Sequence, residues 1–204
     1  MPELALILCG SWALLLFVAR SIIQWRKTGS TGFNGFSGRI GSPEWFAGAS
    51  IAAGFILTPI APISTLFDWS IGDLLFESLS LHLFGAALTT IGIFGSLAAQ
   101  YAMGDSWRIG VDPGERTALI TNGIYAWVRN PIFSFIGISL IGLLLVVPNP
   151  LSVAAIVLTW CGIELQVRCV EEPYLLASHG AKYQRYAAVV GRFIPELGKD
   201  LASR

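Results

Sequence analysis

Two polar blocks hold most of the side chains in this sequence that are capable of chemistry: GIYAWVRNP at 123–131 and EEPYLLASHGAKYQRY at 171–186. The first brings Tyr125, Arg129 and Asn130. The second brings Glu171, Glu172, Tyr183 and Tyr186, with Arg168 just ahead and Arg192 just after. Neighbouring carboxylates accept hydrogen bonds from ammonium and hydroxyl groups, a guanidinium grips a carboxylate with two parallel bonds, and a carboxamide donates and accepts without adding charge. Gly123 lets the backbone pass close to a ligand. No metal site accompanies the set, because the histidines are His82 and His179 alone and the three cysteines lack ligand spacing.

Two back-to-back apolar segments separate the blocks, and this gives the blocks a reason to meet. With 54% hydrophobic and 13% charged residues, the chain is integral membrane rather than soluble. Candidate spans are Leu4–Ile23, Trp45–Phe67, Ser78–Met103, Pro131–Val147 and Leu151–Val167. The expected fold is all-α, with five transmembrane helices in a single membrane domain over 1–204 and a helical pair within 1–70. The last two spans are short and broken only by Pro148, Asn149 and Pro150, so they form a hairpin whose two ends return to one membrane face.

Orientation follows from the cations. Arg20, Arg26, Lys27 and Arg39 follow the first span, and Arg108, Arg116 and Arg129 lie between the third and fourth. Arg168, Lys182, Arg185, Arg192, Lys199 and Arg204 follow the fifth, so all 13 Lys and Arg residues fall on one side. The opposite loops carry Asp68, Asp73 and Glu77. The positive-inside rule makes the cationic side cytoplasmic, with the N-terminus outside and the C-terminus inside. No cleavable signal peptide is expected, since no basic residue precedes the first apolar segment. Cys9, Cys161 and Cys169 read as free thiols.

Several features are assigned to structure. The run GSTGFNGFSG, Gly29 to Gly38, has no preceding strand and no Lys-Ser/Thr ending, so it is a loop with interfacial phenylalanines and not a phosphate cradle. Gly85, Thr89, Gly92 and Ser96 form a small-residue packing face. His82 is a hydrogen-bonded structural residue, and Trp45, Trp69, Trp107 and Trp127 are interfacial anchors.

The end of the fifth span is read differently. At 100° per residue Glu164, Arg168, Glu171 and Glu172 form one charged stripe, and Glu164 lies inside the span, where ionisable groups are costly and face a cavity. Pro173 is expected to kink or end the helix. Beyond it, Leu175, Leu176, His179, Tyr183, Tyr186 and Val190 have the spacing of a cytoplasmic C-terminal helix lying on the membrane or capping a cavity.

These residues resemble the membrane-embedded methyltransferases typified by isoprenylcysteine carboxyl methyltransferase and the phospholipid methyltransferases. Gly123, Tyr125, Arg129 and Pro131 match that family's first motif, with Asn130 in place of its usual histidine and Phe133 in place of its tyrosine. Glu171, Glu172, Leu175, Gly180, Tyr183, Tyr186, Val190, Arg192 and Pro195 match the second, with His179 replacing an aromatic. The segment GDSWR at 104–108 resembles the one that commonly follows the preceding helix. The similarity covers roughly residues 100–196, the expected cofactor-binding methyltransferase core.

The resemblance implies S-adenosylmethionine as cofactor, held on the cytoplasmic side by Gly123, Tyr125, Arg129, Asn130, Pro131, Phe133, Glu171, Glu172, Tyr183 and Tyr186. It also implies a lipid-like or prenylated acceptor entering from the membrane. No nucleic-acid partner is expected. Arg168, Arg192 and Glu172 are the candidate catalytic groups. A carboxylate acceptor needs only an orienting cation such as Arg168 or Arg192, whereas an amine must first lose a proton; a carboxylate is therefore favoured and an amine is the alternative. Glu172→Ala and Arg129→Ala are expected to abolish cofactor binding without unfolding the protein. Two other classes compete: a nicotinamide-dependent membrane reductase, whose cofactor phosphates demand more cations, and a membrane scaffold that binds neither cofactor.

Overall fold

A computed structural model describes residues 1–32, 38–108, 110 and 118–200; Phe33 and Phe36 of the glycine-rich loop, and Arg116 and Arg204 of the cationic set, lie outside the described residues. The helices are α1 (Pro2–Thr28), α2 (Pro43–Leu66), α3 (Leu79–Met103), α4 (Pro131–Val146), α5 (Pro150–His179) and α6 (Ala181–Val189). Proline in the first turn opens α1, α2, α4 and α5, where its missing N–H costs nothing. The Ser42 hydroxyl accepts from Trp45 N at the start of α2, and Asn149 Oδ1 accepts from Ser152 N at the start of α5.

Among the described residues four helices, α1, α2, α3 and α5, are long and apolar enough to cross a membrane. The expected fifth, α4, has 16 residues. At 1.5 Å per residue it reaches about 24 Å, against roughly 30 Å of hydrocarbon. The chain is thus an all-helical, multi-pass membrane protein, with four span-length helices and one shorter apolar helix among the described residues.

α3 packs along α4, and α2 along α5, with α1 touching α2, α3 and α4. The small-residue face of α3 is buried as expected. A methyl group at Gly85 would lie 2.6 Å from Gly142 O, and Thr89 Oγ1 donates to both Gly85 O and Ser139 O. The α2–α5 contact is built the same way, since a methyl at Gly162 would lie 2.8 Å from Ala47 O. At the hairpin tip Asn149 is fully buried and its Nδ2 donates to Ala61 O and Thr65 Oγ1, tying the hairpin to the end of α2. Pro62 leaves Thr58 O without a helical donor, and the Cys9 thiol of α1 donates to that carbonyl.

Two expectations for the C-terminal part change. α5 does not end at Pro173. It widens into a π-turn over Val167–Glu171 and continues to His179, the wide turn absorbing the proline's missing donor and ring just before they would break the ladder. The single C-terminal helix is also divided, at Gly180 (φ 51°, ψ −129°), a conformation that favours glycine, so that α6 starts as a separate helix.

Candidate active site

The hairpin brings both polar blocks to the same end of the molecule. Arg129 N donates to Gly191 O, Asn130 N and Nδ2 both donate to Arg192 O, and Ser134 Oγ donates to Phe193 O. The C-terminal segment is therefore fastened across the base of α4.

Two cavities meet there. The first, about 190 Å³, is mostly apolar and lies among Phe17 of α1, Ile51 and Phe55 of α2, Met103 and Trp107, and Ile132, Phe133 and Ile136 of α4. The second, about 110 Å³, is lined by Leu119, Tyr174, Leu175, Tyr183 and Tyr186. Met103, Arg108, Gly110, Tyr125, Arg129, Asn130 and Glu171 line both. A greasy slot between helices thus joins an aromatic chamber through a polar neck.

Among the described residues the carboxylate of the neck is Glu171, whose side chain hydrogen-bonds Gln166 and lies within electrostatic reach of Arg108. The Arg108 guanidinium sits 4.9 Å from the centre of the Tyr174 ring. Tyr125 Oη donates to Ala99 O at the end of α3, and Tyr186 Oη donates to Tyr125 O, so the first block, α3 and α6 are braced together. Burial pushes the Tyr186 phenol up to about 12 and raises Tyr125 and Tyr183 further, which keeps all three neutral.

Glu172, next in sequence, faces elsewhere. Its Oε1 accepts from Arg129 Nη2 and Arg192 Nε, both at 2.7 Å, and its Oε2 accepts from Arg192 Nη2 at 3.0 Å. The other bonds of the Arg129 Nη groups go to main-chain carbonyls: Nη1 to Ala187 O and Val190 O, Nη2 also to Gly198 O. Arg129, Glu172 and Arg192 form a half-buried ionic brace that holds the C-terminal segment, and Glu172 and Arg192 line neither cavity.

The predicted charged stripe is split by the π-turn. Glu164 and Arg168 pair with each other at 2.6 Å on the outside, Arg168 remaining exposed, while Glu171 turns into the neck and Glu172 into the brace. The structure therefore brings together Tyr125, Asn130, Pro131, Phe133, Glu171, Tyr183 and Tyr186, and places Arg168 away from them. Gly123 starts the turn Gly123–Ala126 at φ 58° and lies outside both cavities. Trp107, expected at an interface, is buried.

Gln100, Gln166 and Tyr174 line the site but were not singled out from the sequence. The glutamines carry a usable signal, being uncharged polar residues inside apolar helices. Tyr174 carries none beyond its place after Pro173.

The family model for phospholipid methyltransferases matches residues 80–182, half of the chain and all of the neck. The chain belongs to the phospholipid methyltransferase family. It is an integral membrane methyltransferase. Among solved structures, this methyltransferase is similar to the eukaryotic intramembrane Ras methyltransferase, isoprenylcysteine carboxyl methyltransferase, at 24% identity and a TM-score of 0.61, covering 97% of this chain and 69% of that one. That likeness extends the shared fold over nearly the whole methyltransferase. No curated protein sequence matches the chain.

Proposed function

We propose that this methyltransferase uses S-adenosylmethionine to methylate a lipophilic acceptor that enters from the membrane, with the polar neck at the cytoplasmic face. The carrying observation is the pair of joined cavities, one apolar and open among the helices, the other aromatic and polar. S-adenosylmethionine supplies an electrophilic methyl on a sulfonium, and its carboxylate, ammonium and ribose suit the groups present. Arg108 grips the carboxylate, Glu171 and Asn130 accept and donate around the ammonium or ribose, and Tyr174, Tyr183 and Tyr186 offer aromatic faces to the adenine and the sulfonium. Phe133, Pro131 and Ile136 align the acceptor chain toward the neck and exclude water, which for a displacement reaction is most of the catalysis. Arg129, Glu172 and Arg192 act from behind, by holding the hairpin base in place.

The cation count supports this cofactor over a nicotinamide one. Among the described residues the cavity-lining cations are Arg108 and Arg129, and the Nη donors of Arg129 are committed to Glu172 and three carbonyls. A pyrophosphate asks for more.

A second reading, an amine acceptor, gains support from Glu171. The cations considered for orienting a carboxylate, Arg168 and Arg192, are paired with Glu164 and Glu172, whereas a carboxylate stands where acceptor and methyl meet. Glu171 can take the proton that an ammonium must lose and would repel an acceptor carboxylate.

Calorimetry with S-adenosylmethionine on the detergent-purified protein tests the cofactor, and a radiolabelled methyl assay on a membrane lipid extract, resolved into base-labile esters and base-stable amines, tests the acceptor. Binding of a nicotinamide cofactor in preference to S-adenosylmethionine would overturn the first proposal. Ester products would overturn the amine reading.

A further inference from the structure

α1 lies outside the stretch the family model matches, yet it reaches the site through a buried arginine. Arg20 is 3% exposed inside a span-length apolar helix. An arginine there is costly unless its donors are met, and both of its terminal nitrogens are used, one within α1 and one at the turn after α3. Arg20 Nη2 donates to Gly104 O at 2.8 Å, Nη1 to Gln24 Oε1 at 2.9 Å, and Gln24 Nε2 donates to Asp105 O at 2.9 Å. The same guanidinium lies 4.6 Å from the centre of the Trp107 ring. Gly104 takes φ +58°, which lets the chain leave α3 at the sharp angle that presents its carbonyl to α1. Two side chains one helical turn apart on α1 therefore hold residues 104, 105 and 107, and the next residue is Arg108, a cation of the neck.

A second tie makes the same connection. Gln100, which lines the apolar cavity, donates to Leu16 O inside the π-turn Leu14–Ala19 of α1, and that turn also supplies Phe17 to the cavity wall. α1 is joined to the site at both the slot and the neck.

We propose that Arg20, with Gln24, is a positioning residue for cofactor binding: by clamping the Gly104–Trp107 turn it fixes Arg108 at the junction of the two cavities. This rests on the assignment of Arg108 to the cofactor carboxylate. A neutral pair could close the turn. A guanidinium stacked on Trp107 also fixes the direction in which the chain leaves it, and that direction decides where Arg108 points.

The test is a double-mutant cycle on the full chain in detergent, reading S-adenosylmethionine affinity by calorimetry. Arg108→Ala should weaken binding about tenfold or more, and Arg20→Ala on its own roughly fivefold. On the Arg108→Ala background Arg20→Ala should change affinity less than about twofold, because its effect passes through the missing side chain. Gln24→Ala should give a smaller loss with the same non-additivity, and it decides the question if Arg20→Ala does not fold. Losses that multiply, or wild-type affinity in both Arg20→Ala and Gln24→Ala, overturn the clamp while leaving Arg108 in its role. Wild-type affinity in Arg108→Ala overturns the cofactor assignment of Arg108 and the clamp with it.

Discussion

Glu171 and Glu172 are adjacent carboxylates with opposite surroundings. Glu172 meets two guanidinium groups, one almost fully buried, and removing it leaves Arg129 and Arg192 facing each other without a counter-charge. Truncating one member of such a pair typically costs ~3–5 kcal/mol. Glu172→Ala is therefore expected to lower the thermal unfolding midpoint in detergent well before any question of cofactor arises, and an unfolding midpoint equal to wild type would deny the brace. Glu171 is the reverse case. Glu171→Gln keeps the shape and the bond to Gln166, so stability should hold, while methyl transfer to an amine falls by ~10²-fold or more if the carboxylate takes the proton. The buried phenols of Tyr125, Tyr183 and Tyr186, all raised, offer no competing base at neutral pH. The sequence marked both glutamates as candidates but had no means of separating them. Their division depends on a π-turn, which shifts the helical register by one residue without altering composition or hydropathy.

At the scale of elements, the apolar runs, the Pro148-Asn149-Pro150 break and the glycine face of α3 were legible because each is local: length, proline and small-residue spacing act within one segment. What stayed hidden is contact between distant segments, such as the Arg20 grip on Gly104 and the Arg129 grip on Ala187, Val190 and Gly198, where both partners look like ordinary loop or helix-end residues. The legible glycine face makes its own prediction. A side chain at Gly142 would meet Thr89 N at 2.5 Å and Gly85 O at 2.6 Å, both main-chain atoms that cannot swing aside. Gly142→Leu must push α3 from α4, and overpacking of this kind costs ~1–3 kcal/mol or more. Gly10→Leu is the control, because nothing lies within 4 Å of a Cβ there. Thermal unfolding should separate the two substitutions sharply, and equal tolerance would mean that α3 and α4 are not in close contact.

For the whole molecule the open quantity is direction across the bilayer. Among the described residues, those carrying the neck, the brace and the Arg20 clamp gather at one end, where Arg26 and Lys27 close α1 and Lys182 and Arg185 stand exposed on α6. Asp68, Asp73 and Glu77 lie between α2 and α3, the turn that joins the far ends of those helices and bonds to the hairpin tip through Leu75 N to Pro148 O. The charge difference between the two ends is the quantity that the membrane potential and the insertion machinery sort, with cations retained inside. On the proposed function, this charge difference is expected to turn the cofactor chamber toward the cytoplasm. Single cysteines at Asp73 and at Lys182, placed in a chain whose Cys9, Cys161 and Cys169 have been replaced, distinguish the two orientations in intact cells. A membrane-impermeant maleimide should label the cysteine at position 73 directly and the one at 182 only after permeabilisation. The opposite pattern would turn the molecule over and overturn the proposed cytoplasmic orientation.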